Sequence, residues 1–231
     1  GDIDPQMTYD INHLASVRLA EMAKGVGISR YVFASSCSSY GAAGDKVLNE
    51  SAEFNPVTPY AISKVRVEQD VKQLADSDFS PTFMRNGTAY GVSPRIRFDV
   101  VLNNLLAWAY TTGKVHLKSD GTPWRPIVHI EDISRAVLAA LSAPREVIHN
   151  EAFNVGVNAE NYQIKQLAEI VLDTIPDCQL GFAADAGGDK RNYRIDFSKY
   201  KATFPDHPLQ WNARDRKSTR LLQSPYDLVC R

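Results

Sequence analysis

Short apolar runs alternate with amphipathic stretches along the whole chain, and this alternation narrows the fold more than any other feature. "RYVFAS", "KVHLK", "RPIVHI", "AFNVGV" and "NYRIDF" read as strands, and "PTFMRNGTAYG" as a strand followed by a loop. Between them lie segments of helical period. In "DPQMTYDINHLASVRLAEMAKGVGI" the apolar positions are Ile11, Leu14, Val17, Leu19, Ala20 and Met22, and Gly25 is a plausible stop. "YAISKVRVEQDVKQLAD", "FDVVLNNLLAWAYTTG", "EDISRAVLAALSAP" and "QIKQLAEIVLDTI" follow the same period; the second ends at Gly113, and the third carries acids in its first turn. Strands alternating with helices predict an α/β fold, a doubly wound parallel sheet with helices on both faces.

Composition sets limits. At 231 residues and 44% hydrophobic, the chain can bury a sizeable core. A net charge of −1 gives no field that favours nucleic acid or an anionic membrane. The apolar runs are too short to span a bilayer, and the polar opening "GDIDPQ" does not read as a signal peptide. Cys37, Cys178 and Cys230 are odd in number and widely spaced, which predicts neither a disulfide framework nor a metal site. The expected setting is reducing and cytoplasmic.

Chemistry concentrates in two stretches. "FASSCSSYG" ends an apolar strand in a run of hydroxyls, and "TPYAISK" sets Tyr60 and Lys64 four residues apart on a helix. Residues i and i+4 share a helix face. A phenol of pKa about 10 is a poor base at neutral pH unless a nearby cation favours the phenolate. Lys64 can supply that charge and also reach the ribose of a bound dinucleotide. A serine at the neighbouring strand end can hold the same substrate oxygen. Such a set removes a proton from an alcohol as hydride leaves its carbon, or runs the reverse.

In this order the residues resemble the extended short-chain dehydrogenase/reductase family, the NAD-dependent nucleotide-sugar epimerases and dehydratases. The resemblance runs from about residue 8 to about residue 212. Counting back from the Tyr40-Gly41 pair identifies Ser36 as the catalytic hydroxyl, with Tyr60 and Lys64 as the active-site tyrosine and lysine. The resemblance implies a Rossmann-like sheet that lacks its first strands, because the family's glycine-rich phosphate turn occurs nowhere in the chain and would lie in preceding residues. It divides the chain into 1–90, the later part of an NAD-binding domain; 91–214, a smaller substrate-binding region with returning Rossmann elements; and 215–231, an atypical and disordered tail.

The same resemblance implies the wider site. Asn12, Ser35, Tyr60 and Lys64 fall on the cofactor side, the cofactor being NAD with NADP left open. Ser36, Cys37, Ser38, Thr88, Asn104, Arg125 and Arg191 fall on the side of a nucleotide-sugar substrate. Asn12 reads equally as a solvated helix residue, and Asn104 as half of a polar helix start. Arg125 matches the arginine that pairs with a substrate phosphate, a use that suits its planar fork. His129 and Asp132 are expected to shape a turn, and His13, His116, His149 and His207 to be surface or structural residues.

The chain departs from the family in four places. Cys37 and Ser38 stand where dehydratases carry Asp-Glu, so no acid is at hand to protonate a leaving hydroxyl, and Cys37 reads as a packing residue. Thr88 replaces the asparagine common three residues past the arginine of "TFMR", and Arg191 stands in a shifted position for a late family arginine. The expected activity is epimerisation at a carbinol carbon. A 4-keto sugar-nucleotide reductase and a non-catalytic scaffold relative are the alternatives. No nucleic-acid or membrane partner is expected, and a homodimer is left open.

Overall fold

The computed structural model describes residues 3–182 and 191–215. The expected tail therefore lies outside the described residues except for Asp215. The first helical stretch begins with α1 (Pro5–Tyr9), where the Asp4 carboxylate accepts from the Met7 amide and Pro5 opens the first turn. A π turn, Asp10–Leu14, separates it from α2 (Ala15–Gly25). The added residue of a π turn rotates everything beyond it, a break that the apolar spacing did not foreshadow.

Strand β1 (Arg30–Ser36) runs into a tight 3-10 turn, Cys37–Tyr40, followed by β2 (Ala42–Leu48). Helix α3 (Pro59–Lys72) starts with Pro59 in the first turn, and the Thr58 hydroxyl accepts from the Ala61 amide at 3.2 Å. Strand β3 (Ser80–Asn86) follows, then the short β4 (Thr88–Tyr90), α4 (Val101–Thr112), β5 (Lys114–Leu117), β6 (Trp124–His129) and α5 (Ile130–Ser142). The remainder is α6 (Arg145–Ile148), β7 (Ala152–Val155), β8 (Asn161–Gln163), α7 (Ile164–Thr174), β9 (Gln179–Phe182), β10 (Asn192–Ile195) and α8 (Ser198–Thr203).

The central sheet is parallel, in the order β1-β3-β7, with Phe33 opposite Phe83 and Ser36 opposite Asn86. Strand β3 is buried on both faces from Ser80 to Arg85, as the middle strand of a covered parallel sheet must be. Alternate side chains serve opposite cores. Phe83 joins Phe33, Ala20, Val67, Val71 and Phe79 beneath α2 and α3. Met84 joins Phe153, Val155, Ala136, Ala139 and Ala140 beneath α5. A third core, with Leu102, Leu106, Val115, Leu117, Leu167 and Val171, forms where α4 and α7 pack on β5.

The parallel α/β class expected from the alternation is the observed one. Its distribution differs: besides the central sheet, the described strands pair as β10-β2, β4-β6-β8 and β5-β9, and β6–β8 is antiparallel. Gly87 lies between β3 and β4; a Cβ there would stand 3.3 Å from the Pro126 carbonyl oxygen, a tight contact that glycine avoids.

Candidate active site

The hydroxyl run at the end of β1 splits by strand geometry, because neighbouring residues point to opposite faces. Ser35 turns inward, 3% exposed, and donates to the Glu68 carboxylate at 2.5 Å. Ser36 turns toward α3. Its Oγ accepts from the Ser38 hydroxyl at 2.9 Å and the Ser38 amide at 3.2 Å, while Ser39 donates to the Ser36 carbonyl at 2.8 Å. The turn that follows the strand is thus built around Ser36.

Tyr60 lies in the first turn of α3 and is 40% exposed, the most open of the three central residues' environments toward solvent. The Ser36 hydroxyl is near enough to its phenol to favour the phenolate. Burial pushes the Tyr60 phenol above its ordinary pKa, against the lowering effects of Ser36 and of the Arg97 charge. Lys64 lies one turn further on. Its Nζ donates to the Ala34 carbonyl at 2.8 Å and sits 4.6 Å from the Phe33 ring centroid and 5.7 Å from that of Tyr60. Burial lowers the Lys64 pKa, and the Glu68 carboxylate opposes that shift. The spacing argument assigned the lowering of the tyrosine to Lys64. Here the ammonium donates to the β1 backbone while staying 5.7 Å from the Tyr60 ring, and the Arg97 charge also favours the phenolate.

Arg97 was missed because it stands in an irregular stretch with no periodic signal. Its guanidinium meets Asp99 through Nε at 3.0 Å and Nη2 at 2.6 Å. Two asparagines at the start of α4 hold this loop. Asn103 accepts from the Gly91 amide at 3.2 Å and donates to the Arg97 carbonyl at 3.0 Å, and Asn104 donates to the Phe98 carbonyl at 2.7 Å. Gly91 has φ +107, and a Cβ would stand 2.4 Å from the His129 ring, so the loop's entry requires glycine.

The other expected residues are dispersed. Cys37 turns its thiol into the core beside Tyr40, Tyr193 and Phe197, donating to the Arg85 carbonyl at 3.0 Å, and burial raises its pKa. That geometry corrects its placement on the substrate side: the group is an inert, packed thiol. Thr88 is half-buried in β4, and Asn12 is half-buried within the π turn. Arg125 is 6% exposed and donates to the Trp124 carbonyl at 2.7 Å. It also donates to the Arg191 carbonyl. His129 caps the Glu131 amide and stacks on Trp211 at 4.3 Å, while Asp132 accepts from the Gln210 and Trp211 amides. His13 meets Asp70 of α3 at 2.6 Å. A cavity of about 610 Å³ lined by Trp124, Tyr162 and Trp211 includes none of Ser36, Tyr60 and Lys64. Among the described residues there is no cluster of metal-type ligands and no helix long and apolar enough to cross a membrane.

A hydroxyl at the carboxyl end of a parallel strand thus stands beside a helix that carries Tyr-x-x-x-Lys, on an α/β scaffold. The chain belongs to the NAD dependent epimerase/dehydratase family, whose model matches residues 2–156. It is 28% identical over 171 residues to a UDP-glucuronate 4-epimerase of Thermodesulfobacterium geofontis, covering 73% of this chain and 50% of that protein. It is 28% identical over 199 residues to an uncharacterized UDP-glucose epimerase, YtcB, of Bacillus subtilis, covering 85% and 60%. The chain thus spans about half the length of the relatives it matches. Among solved structures, MoeE5 in complex with UDP-glucuronic acid and NAD is 26% identical with a TM-score of 0.76, covering 90% of this chain and 69% of that one. DesIV, a dTDP-glucose 4,6-dehydratase from Streptomyces venezuelae, shares the fold at a TM-score of 0.83 and 19% identity, covering 98% and 70%.

Proposed function

We propose that the chain carries the proton-transfer half of a nucleotide-sugar 4-epimerase site, with Ser36, Tyr60 and Lys64 as catalytic residues. What supports this reading is the placement of Ser36 at the end of β1 beside the α3 face that carries Tyr60 and Lys64, with the Lys64 ammonium anchored on the β1 backbone at Ala34. The residues fit the nicotinamide–ribose end of NAD: Lys64 has N–H groups beyond the one given to Ala34, and Tyr60 is open to solvent. NAD, when bound, supplies the hydride acceptor and donor. Tyr60, as phenolate, takes the proton of the sugar carbinol and returns it to the alkoxide formed on the other face. Ser36 holds the sugar oxygen in both positions. Ser38 is committed to Ser36 and Cys37 to the core, so neither supplies the acid that elimination of water would need. Cys37 and Cys178 are free thiols, which suits a cytoplasmic location.

A 4-keto reductase would use the same residues in one direction. The two readings separate in one assay of a turnover-competent form of the protein. An epimerase interconverts two UDP-sugars with no net change in NADH absorbance, whereas a reductase consumes NADH stoichiometrically. Neither interconversion nor reduction of any UDP-sugar supplied would overturn the proposal.

The sugar end is read from Arg97. A guanidinium oriented by Asp99 and acting on Tyr60 suits a substrate with a carboxylate beside the reacting carbon. Two of the similar proteins named above act on or bind glucuronic acid derivatives. Arg97→Ala is expected to lower kcat/KM for UDP-glucuronate about 10- to 100-fold, the worth of a charge-assisted hydrogen bond. UDP-glucose should lose only the share that comes from the raised Tyr60 pKa, a share that vanishes at alkaline pH; equal losses on both sugars at alkaline pH would remove Arg97 from recognition.

The pyrophosphate of a dinucleotide normally rests on a glycine-rich turn and a helix N-terminus. No such turn occurs in the 231 residues. Calorimetry on the chain itself should therefore show NAD binding in the millimolar range or weaker, about −4 kcal/mol. Micromolar binding would show that another element holds the phosphates.

A further inference from the structure

Beneath the candidate site lies a buried ion pair that proton transfer does not use. Glu68 follows Tyr60 and Lys64 at four-residue spacing on α3 and is 1% exposed; Arg85, on β3, is 3% exposed. The Arg85 Nη2 meets Glu68 Oε2 at 2.7 Å, and its Nε lies 3.1 Å from both carboxylate oxygens. The remaining donors of Arg85 reach the Tyr40 hydroxyl at 2.8 Å and the Glu50 carbonyl at 3.1 Å. The Tyr40 hydroxyl in turn donates to Asn154 on β7 at 2.8 Å. Ser35 closes the network from β1, donating to Glu68 Oε1 at 2.5 Å.

We propose that the Glu68–Arg85 pair is a positioning couple: through Ser35 it ties the end of β1 that carries Ser36 to the face of α3 that carries Tyr60 and Lys64. A buried ion pair contributes little net stability and is often replaced by apolar residues without loss. Packing alone therefore gives no reason for two charges at the centre of this network. Direction does. A carboxylate held by a fork of fixed geometry, with a serine hydroxyl as its third partner, sets both the rotation of α3 and its height along β1. Apolar contacts at the same place resist neither a small rotation nor a small slide so sharply. Ser35 and Ser36 are consecutive, so fixing one on the inner face fixes the direction of the other on the outer face.

The couple's purpose rests on the Ser36–Tyr60–Lys64 reading, but its test needs neither cofactor nor substrate. The chain is labelled with 3-fluorotyrosine, whose phenol titrates below that of tyrosine. The fluorine resonance of residue 60 is assigned from Tyr60→Phe and followed against pH. Ser36 and Arg97 act on this phenol, the Lys64 ammonium lies 5.7 Å from its ring, and Tyr193 interacts with it electrostatically; Ser35→Ala leaves the Glu68 charge beside Lys64 in place. In Glu68→Leu/Arg85→Met the melting temperature should be kept or raised, while the titration of residue 60 moves upward by about half a pH unit or more as the Ser36 contact loosens. A kept melting temperature with an unmoved titration overturns the proposal, because the pair would then only fill space. If the double variant does not fold, Ser35→Ala decides. It removes one hydroxyl and leaves the ion pair, and the same upward shift supports the couple while no shift overturns it. Absence of turnover in any form of the protein would sink the epimerase reading without touching this result.

Discussion

Tyr60→Phe should abolish turnover, by at least about a thousandfold in kcat, in any form of the protein that binds NAD and a sugar nucleotide. The phenyl ring keeps the van der Waals shape that α3 presents beside Phe33 and Lys64, so fold and cofactor affinity should change little. What is lost is the phenol oxygen near Ser36, the proton carrier of the proposed reading. The pH profile carries a second signature. Burial holds the phenol above its ordinary pKa, so at neutral pH the phenolate is scarce and the oxidation half-reaction should quicken about tenfold per pH unit as the solution becomes alkaline. Arg97 works against burial, so Arg97→Ala should move that rise to still higher pH. A pH-independent rate between neutrality and the alkaline limit, or substantial activity in Tyr60→Phe, would remove Tyr60 as the proton carrier.

Arg85→Met should cost about 3–5 kcal/mol of folding stability, read as a lowered urea midpoint at unchanged slope. The loss comes less from the attraction removed than from the charge left behind. Glu68 is 1% exposed and would keep the Ser35 hydroxyl as a hydrogen-bond partner and the Lys64 charge at longer range, while Tyr40 would lose its donor from below. Pairing the substitution with Glu68→Leu should return most of the midpoint, because no stranded carboxylate remains. A single variant as stable as the parent would show that water reaches Glu68 and that the pair is not buried in solution.

Ser36, Tyr60 and Lys64 were legible as a candidate set because each carries a local signal: a hydroxyl at the end of an apolar strand, then a phenol and an amine one helical turn apart. The parallel α/β class was legible for the same reason. What the sequence hid depends on tertiary placement. Arg97 lies in an irregular loop, and its proximity to Tyr60 depends on the asparagines at the start of α4. Glu68 reads as an ordinary polar helix residue until Arg85 is set opposite it, although a charged residue at the end of the apolar run "TFMR" was a hint that a buried partner existed. Strand β2 escaped notice because Gly44, at φ +63, interrupts any alternation, and its pairing with β10 joins residues about 150 positions apart along the chain. Cys37 was placed with the substrate by motif position, but the 3-10 turn swings its sulfur inward.

The loop over the site has a property that bears on how such a protein changes with time. Asn103 and Asn104 grip it by the Gly91 amide and by the carbonyls of Arg97 and Phe98, atoms that every amino acid shares. This part of its hold does not depend on which side chains occupy residues 97 and 98, whereas the Arg97–Asp99 pair does. On the proposed reading, side chains at residues 97 and 98 can therefore vary what the sugar end meets while the asparagine clamp on the backbone is kept.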